Sequence, residues 1–420
     1  MVVEQVYFIM SDISEGNPQS IEQLGEMVHE YTHYLQTLTT VNGLSALTVY
    51  LDLIIKITVD IYGSIVNNQF DTKNIINSYR DDFIRLEKKL SWERKPINYK
   101  IKRNKPDYFV KKVYNPIAKE QVGEIFFYNM QDESYYHISP SVLRENMAMM
   151  AYLYAHGIGQ DAVMDYVNTN KYKCKYWLVF HYFLYNFPQI KNVIIFTYYF
   201  CELALMHLLP SLFIDELLPE IGKLLTTIPY EDEDAFFQLL SNKFQDKIRK
   251  NFHVIFDVIS KTKSKLEVLK FHDFYLSIEI MLDLCEKGIN YRGNNGTIFK
   301  KILDGRWINN MAKEFRSPLI IQPSNNFSVL YDDSSYVDKF TLLFGVANVV
   351  QLFLHHEEIH CCPFYEDIPI CKLYSGNEEI EKICISKPNT IPQFSGGGCL
   401  FYNTCLVLGL LPPEEYKKFH

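Results

Sequence analysis

Residues 27–35 read MVHEYTHYL, and the reading of this stretch decides what the chain is built around. His29 and His33 stand four positions apart, with Glu30 beside the first. On a helix such positions share one face, so both imidazoles can reach one metal ion. The acid next to the first histidine then faces the open coordination position. Five letters are a weak signal taken alone. The chain also holds a second match, His356-Glu357-Glu358-Ile359-His360, inside HHEEIH.

Context separates the two. Around His29 the neighbours Met27, Val28, Tyr31, Thr32, Tyr34 and Leu35 are all uncharged, which suits a helix lying in a cleft wall. Ser20, with Gln23 three residues on, reads as a capping box that starts this helix. Asn42-Gly43 reads as its left-handed stop. Around His356, Glu358 puts a charge at an internal position and Pro363 follows His360 by three residues. HHEEIH therefore reads as a polar, solvated helix end.

The bulk numbers set outer bounds. A chain of 420 residues with 48% hydrophobic and 15% aromatic residues can bury a large interior, and 29 Phe with 30 Tyr argue against disorder. A net charge of −8, with no long Lys/Arg run, argues against nucleic-acid binding. The basic stretch 100–112, KIKRNKPDYFVKK, reads as a solvated strand face. No signal peptide is visible in MVVEQVYFIM, and nine cysteines fit a reduced, cytoplasmic chain.

Two apolar stretches approach the length of a membrane span. In 44–66, Asp52, Lys56 and Asp60 recur every four residues as a polar stripe. In 192–214, Glu202 and His207 interrupt the apolar run and Pro210 breaks it. Both are read as helices of a folded interior.

The pass along the chain predicts a strand over 2–10, then helices over 20–43, 44–66 and 72–90. Between 97 and 138 the sequence turns rich in Tyr, Phe, Val and Ile with Pro and Asn-Pro breaks, which predicts two or more strands. Helices resume at Ser139, a fitting N-cap, with Pro140 in the first helical position and Gly157 closing the far end. Further helices are predicted over 162–168, 175–185, 193–208, 233–250, 265–286 and 298–315. From Cys361 the chain reads as a loop-like tail with scattered Pro and the run Gly396-Gly397-Gly398. The fold class is thus α+β and mainly α-helical, with a small antiparallel sheet. The expected division is a core over 1–170 holding strands 97–138 between the two ligand helices, a helical portion over 171–350, and a cysteine-rich tail over 351–420.

A catalytic zinc ion takes three protein ligands. The extended pattern with Gly three and His six residues past the second histidine is excluded, because Gln36 and Thr39 stand there. VHEYTHYLQTLTTVNGL together with LRENMA at 143–148 resembles the gluzincin-type zinc metallopeptidases. Within them it is closest to a sparsely characterised bacterial group with H-E-Y-x-H-x-x-Q and a distant Glu helix. That resemblance rests on two short segments, by which His29, His33 and Glu145 would bind Zn2+ and Glu30 would act as general base. It also implies a zincin-like core. Glu145-Asn146-Met147-Ala148 looks like the Glu-Gly-x-Ala helix of such enzymes, with Asn in place of Gly. Asp52 and Asp60, 19 and 27 residues past His33, are rivals for the third ligand, and TVDIYG around Asp60 resembles the Asp-ligand zincins; a solvated stripe is their other reading. Glu202, in an apolar helix, calls for an ion-pair partner.

The tail gathers Cys361, Cys362, Cys371, Cys384, Cys399 and Cys405 near His355, His356 and His360, without the paired C-x-x-C of a zinc ribbon. A structural zinc there and a set of small buried hydrophobes are both open readings. SGGGC at 395–399 lacks the Lys and Ser/Thr of a phosphate loop and reads as a turn.

These readings converge on a zinc-dependent peptidase that cleaves a specific protein or peptide, with Glu30 assisting attack by zinc-bound water. An edge strand from 97–138 could bind an extended peptide through its backbone. Tyr and His residues over 152–207 are the pool for an oxyanion donor. Two alternatives stand beside this: a helical interaction protein with a structural zincin-like site, and a zinc hydrolase of non-peptide amides. No oligomeric state follows from the sequence.

Overall fold

The computed structural model describes residues 7–9, 21–67, 72–91, 97–98, 107–115, 120–129, 133–159, 162–163, 176–227, 230, 232–270, 272, 274–295, 314–315, 319–321, 327–329, 337–355 and 400–408. The chain is mainly helical, with two small sheets. The described helices are not long and apolar enough to cross a membrane.

After strand β1 (Tyr7–Ile9), helix α1 spans Ile21–Thr39 and carries the first histidine pair. The predicted stop at Asn42-Gly43 is corrected: α1 ends at Thr39, and α2 (Val41–Val66) begins two residues later. The corner is made by Thr40. Its hydroxyl donates to the Gln36 carbonyl at 2.6 Å, closing α1, and accepts from the Gly43 amide at 3.0 Å, opening α2. Gly43 lies inside α2 and is needed for a different reason than capping. A Cβ there would sit 2.2 Å from the Gln36 carbonyl oxygen, so only glycine lets α2 leave the corner against α1.

The predicted helix over 72–90 is two helices, α3 (Thr72–Ser78) and α4 (Arg80–Ser91). At the break between them, the Tyr79 hydroxyl donates to Asp60 on α2 at 2.5 Å. The strands predicted over 97–138 form an antiparallel sheet of β2 (Ile97–Asn98), β3 (Tyr108–Asn115), β4 (Glu120–Asn129) and β5 (Ser134–His137), in the order β2-β5-β4-β3. The central β4 buries every residue from Glu124 to Asn129. On β3, the basic Lys111 and Lys112 are exposed as expected.

Helix α5 (Pro140–Ala155) has the ends its sequence demands. Ser139 accepts a hydrogen bond from the Val142 amide, and Pro140 opens the first turn. Gly157, at φ 71°, turns the chain so that its amide reaches the Tyr154 carbonyl and that of Ile158 reaches Leu153.

Helices α6 (Leu178–Asn186), α7 (Val193–Leu205), α8 (Pro210–Thr227), α9 (Glu233–Leu266) and α10 (Tyr275–Asn295) follow. Three predicted boundaries are corrected. Pro210 does not merely interrupt an apolar helix; α7 ends at Leu205 and Pro210 opens α8, where its missing amide costs nothing. The helix predicted over 233–250 runs on to Leu266, because Ile255, Ile259 and Leu266 continue its buried face. That displaces the next helix, predicted from 265, to Tyr275. The helices predicted over 162–168 and 298–315 lie outside the described residues, apart from positions 162, 163, 314 and 315.

Strands β6 (Leu319–Ile321) and β7 (Phe327–Val329) complete the second sheet, with β1 parallel to β6 and β6 antiparallel to β7. The sequence prediction of one antiparallel sheet did not contain this mixed sheet. Helices α11 (Val337–His355) and α12 (Leu400–Val407) end the described chain. The tail is therefore not loop throughout: α12 buries Phe401 and Cys405. One hydrophobic cluster runs from Met27 to Leu408 and takes in all these helices. Within it Tyr31, Tyr34, Leu35 and Leu38 fix α1. Each contributes about 1.5–3 kcal/mol by leaving water.

Candidate metal centre

Helices α1 and α5 pack side by side in opposite directions. Gly25 meets the ring of Tyr152, the His29 ring bonds to the backbone of Ala148, and Gln36 Nε2 donates to the Arg144 carbonyl at 3.1 Å. This brings three ligand-type atoms together. His29 Nε2 and His33 Nε2 are 3.2 Å apart. Glu145 Oε2 stands 3.5 Å from His33 Nε2 and 3.9 Å from His29 Nε2. Among the described residues this is the group of His, Cys, Asp or Glu side chains that could hold a metal ion.

The donor set fits zinc in geometry and in chemistry. Ligand atoms about 2.0–2.1 Å from a tetrahedral zinc stand roughly 3.3 Å from one another, and the observed separations bracket that spacing. Two imidazoles and a carboxylate are a ligand set found in catalytic zinc sites. The side chains of His29, His33 and Glu145 are 15%, 12% and 24% exposed, and that of Glu30 is 42% exposed. The three ligand groups are thus sheltered on one side of a site that is open where Glu30 lies. Glu30 Oε1 is 4.0 Å from His29 Nε2.

Burial and neighbouring charges shift the two histidines in opposite directions. Burial, with His33 beside it, pushes the His29 imidazole down to about 3, so it is neutral at physiological pH. For His33 burial acts in the same direction, but the hydrogen bond and charge of Glu145, helped by Glu30 and Gln36, outweigh it and raise its pKa. Glu30 is raised by burial and by the nearby carboxylates of Glu145 and Glu26, against the pull of His33.

Partners behind the ligands hold them in place. His33 Nδ1 contacts Gln36 Oε1 at 3.0 Å, and the Gln36 amide is anchored on α5. Orienting the far ring nitrogen is how proteins fix a ligating imidazole. Sequence reasoning used Gln36 to exclude another metal pattern and as the last position of the H-E-Y-x-H-x-x-Q resemblance, and gave it no role; its spacing three residues past His33 was the available signal. Ala148 is fully buried, and its small side chain lets α5 approach the His29 ring. Asn146, in the place of the expected Gly, donates to the Val142 carbonyl and accepts from the Val179 amide at 3.1 Å, tying α5 to α6.

The rival ligands are engaged elsewhere. Asp52 pairs with Lys56 at 2.8 Å and Lys265 at 2.5 Å. Asp60 accepts from Tyr79. Glu202 is ion-paired with Arg292, each 3% exposed. His356, Glu357, Glu358 and His360, the Gly396–Gly398 run and the tail cysteines other than Cys405 lie outside the described residues. No protein-family model, curated protein or solved structure matches this chain.

Proposed function

We propose that the chain is a zinc-dependent peptidase whose ligands are His29, His33 and Glu145 and whose general base is Glu30. The observation that carries this reading is the convergence of the three ligand atoms from α1 and α5, with the Glu30 carboxylate at the open side. Zinc supplies Lewis acidity at such a site, polarising a carbonyl and making water nucleophilic near neutral pH. The residues do the rest. Glu30 takes up the proton of the attacking water and returns it to the leaving amine, a role its raised pKa suits. Gln36 and the Ala148 backbone keep the two imidazoles aimed at one point. The substrate class, a protein or peptide, and the zincin-like character of the core belong to this proposal.

The test is zinc content and peptide hydrolysis of the purified chain beside its Glu30→Gln and His29→Ala variants. The expected result is about one zinc per chain in the wild type, retained in Glu30→Gln with hydrolysis lost. In His29→Ala both are expected to go. Absence of zinc from the wild type, or hydrolysis that survives His29→Ala, overturns the reading. Zinc bound without hydrolysis of any peptide library would make the site structural and the chain an interaction protein.

A further inference from the structure

A second concave site lies away from the metal triad, between α7, α9 and α10. Its space, cavity and solvent-filled mouth together, is about 870 Å³. The wall from α7 and the residue that follows it is apolar at Leu203 and Met206, and α9 adds Phe237, Ile248 and Phe252. The remaining lining from α9 is polar, with Ser241 and Gln245 among it.

Charge is distributed unevenly over this lining. Three lining residues are charged: Glu202, Arg292 and Arg249. Glu202 and Arg292 satisfy each other, and Arg292 also donates to the Thr39 carbonyl and hydroxyl at 3.0 and 3.2 Å. Those two charges cancel and are held. Arg249 is exposed and makes no ion pair with any described residue. The cavity thus joins an apolar pocket to one uncompensated guanidinium.

We propose that this cavity binds a small carboxylate with an apolar body, its carboxylate on Arg249 and its body against Leu203, Phe237, Ile248 and Phe252. A guanidinium offers two parallel N–H donors to a carboxylate, and its attraction strengthens as the pair leaves water. The apolar wall supplies the area term. A cation of the same shape meets the same wall and is repelled by Arg249.

The experiment titrates the full-length chain with octanoate, and separately with octylamine, by calorimetry. The wild type is expected to bind octanoate saturably at one site and octylamine at least tenfold more weakly. Arg249→Glu, a change on an exposed helical position, is expected to weaken octanoate at least tenfold. Ser241→Trp, which fills the cavity, is expected to abolish binding; circular dichroism verifies that both variants fold. No saturable octanoate binding, equal binding of octylamine, or unchanged binding by Arg249→Glu overturns the proposal. Zinc content and hydrolysis are read on the same samples, so failure here is distinct from failure of the peptidase reading.

Discussion

His33 on α1 and Glu145 on α5 meet with 3.5 Å between Nε2 and Oε2, although three helices and a four-stranded sheet separate them in the chain. The contact depends on the two helices lying in register, with Gly25 against Tyr152 on one side of it and Gln36 bonded to the Arg144 carbonyl on the other. In the proposed zinc site Glu145 is the third ligand, so its loss should lower metal affinity. Glu145→Ala is expected to weaken zinc binding at least a hundredfold by chelator competition. Asp52→Ala is expected to leave it unchanged, since Asp52 is paired with Lys56 and Lys265.

Gln36 is the most informative single residue outside the ligand set. Its Oε1 contacts His33 Nδ1 while its amide is held by Arg144. Gln36→Ala frees the imidazole to rotate and is expected to cost about 10–100-fold in zinc affinity. Gln36→Glu, which keeps an acceptor, is expected to recover part of that loss. Equal affinity for wild type and Gln36→Ala would remove the residue from the site.

In the proposed site zinc would have to displace the proton that Glu145 and Glu30 help His33 to hold. His29, with its pKa down near 3, has no proton to give in the neutral range. Because the His33 pKa is raised, apparent affinity should climb as pH rises and level off above that pKa. Below it the slope approaches about tenfold per pH unit, one proton released per zinc. Affinity measured by chelator competition at three pH values spanning pH 6–8 checks this; a flat profile contradicts it.

Helices α1 and α5 were legible in the sequence because local signals agree there. The histidine spacing gives one helix face, and Ser139, Pro140 and Gly157 bound the other helix. The corner was misread because Asn-Gly advertises a helix stop, whereas the break comes from a threonine hydroxyl shared by two helices. The parallel pairing of Tyr7 with Leu319 left no local trace, since it joins segments from opposite ends of the described chain. The long α9 was cut short because its exposed charges hide a narrow buried stripe. Glu202 plainly needed a partner, but nothing in the sequence pointed to Arg292.

That pair makes its own prediction. Arg292 bonds Glu202 on α7 and the Thr39 carbonyl at the end of α1, where a cation also complements the helix dipole. Arg292→Met leaves Glu202 charged and buried, and is expected to destabilise the fold by about 3–5 kcal/mol in urea. Combining it with Glu202→Leu removes the stranded charge. The double variant is therefore expected to be more stable than Arg292→Met alone. A double variant that is as unstable, or worse, would show that the bond to Thr39 carries the effect.

His181 on α6 supplies a pH dependence unconnected with the metal site. Its side chain is buried against Phe180 and Tyr185, and its Nε2 has no hydrogen-bond partner among the described residues. Burial lowers its pKa to about 4, so the folded state keeps it neutral where the unfolded chain would protonate it. The unfolded state then binds more protons between pH 6.5 and 4, and stability falls as pH drops through that window. The stabilisation is complete above pH 6.5, and about 2 kcal/mol of it is gone by pH 5. His181→Phe, which keeps an aromatic ring among aromatic neighbours, is expected to lose that fraction of the pH dependence. Urea midpoints at pH 7.5 and 5 for both proteins decide it. If the two proteins lose equal stability over this interval, His181 is not held neutral by burial.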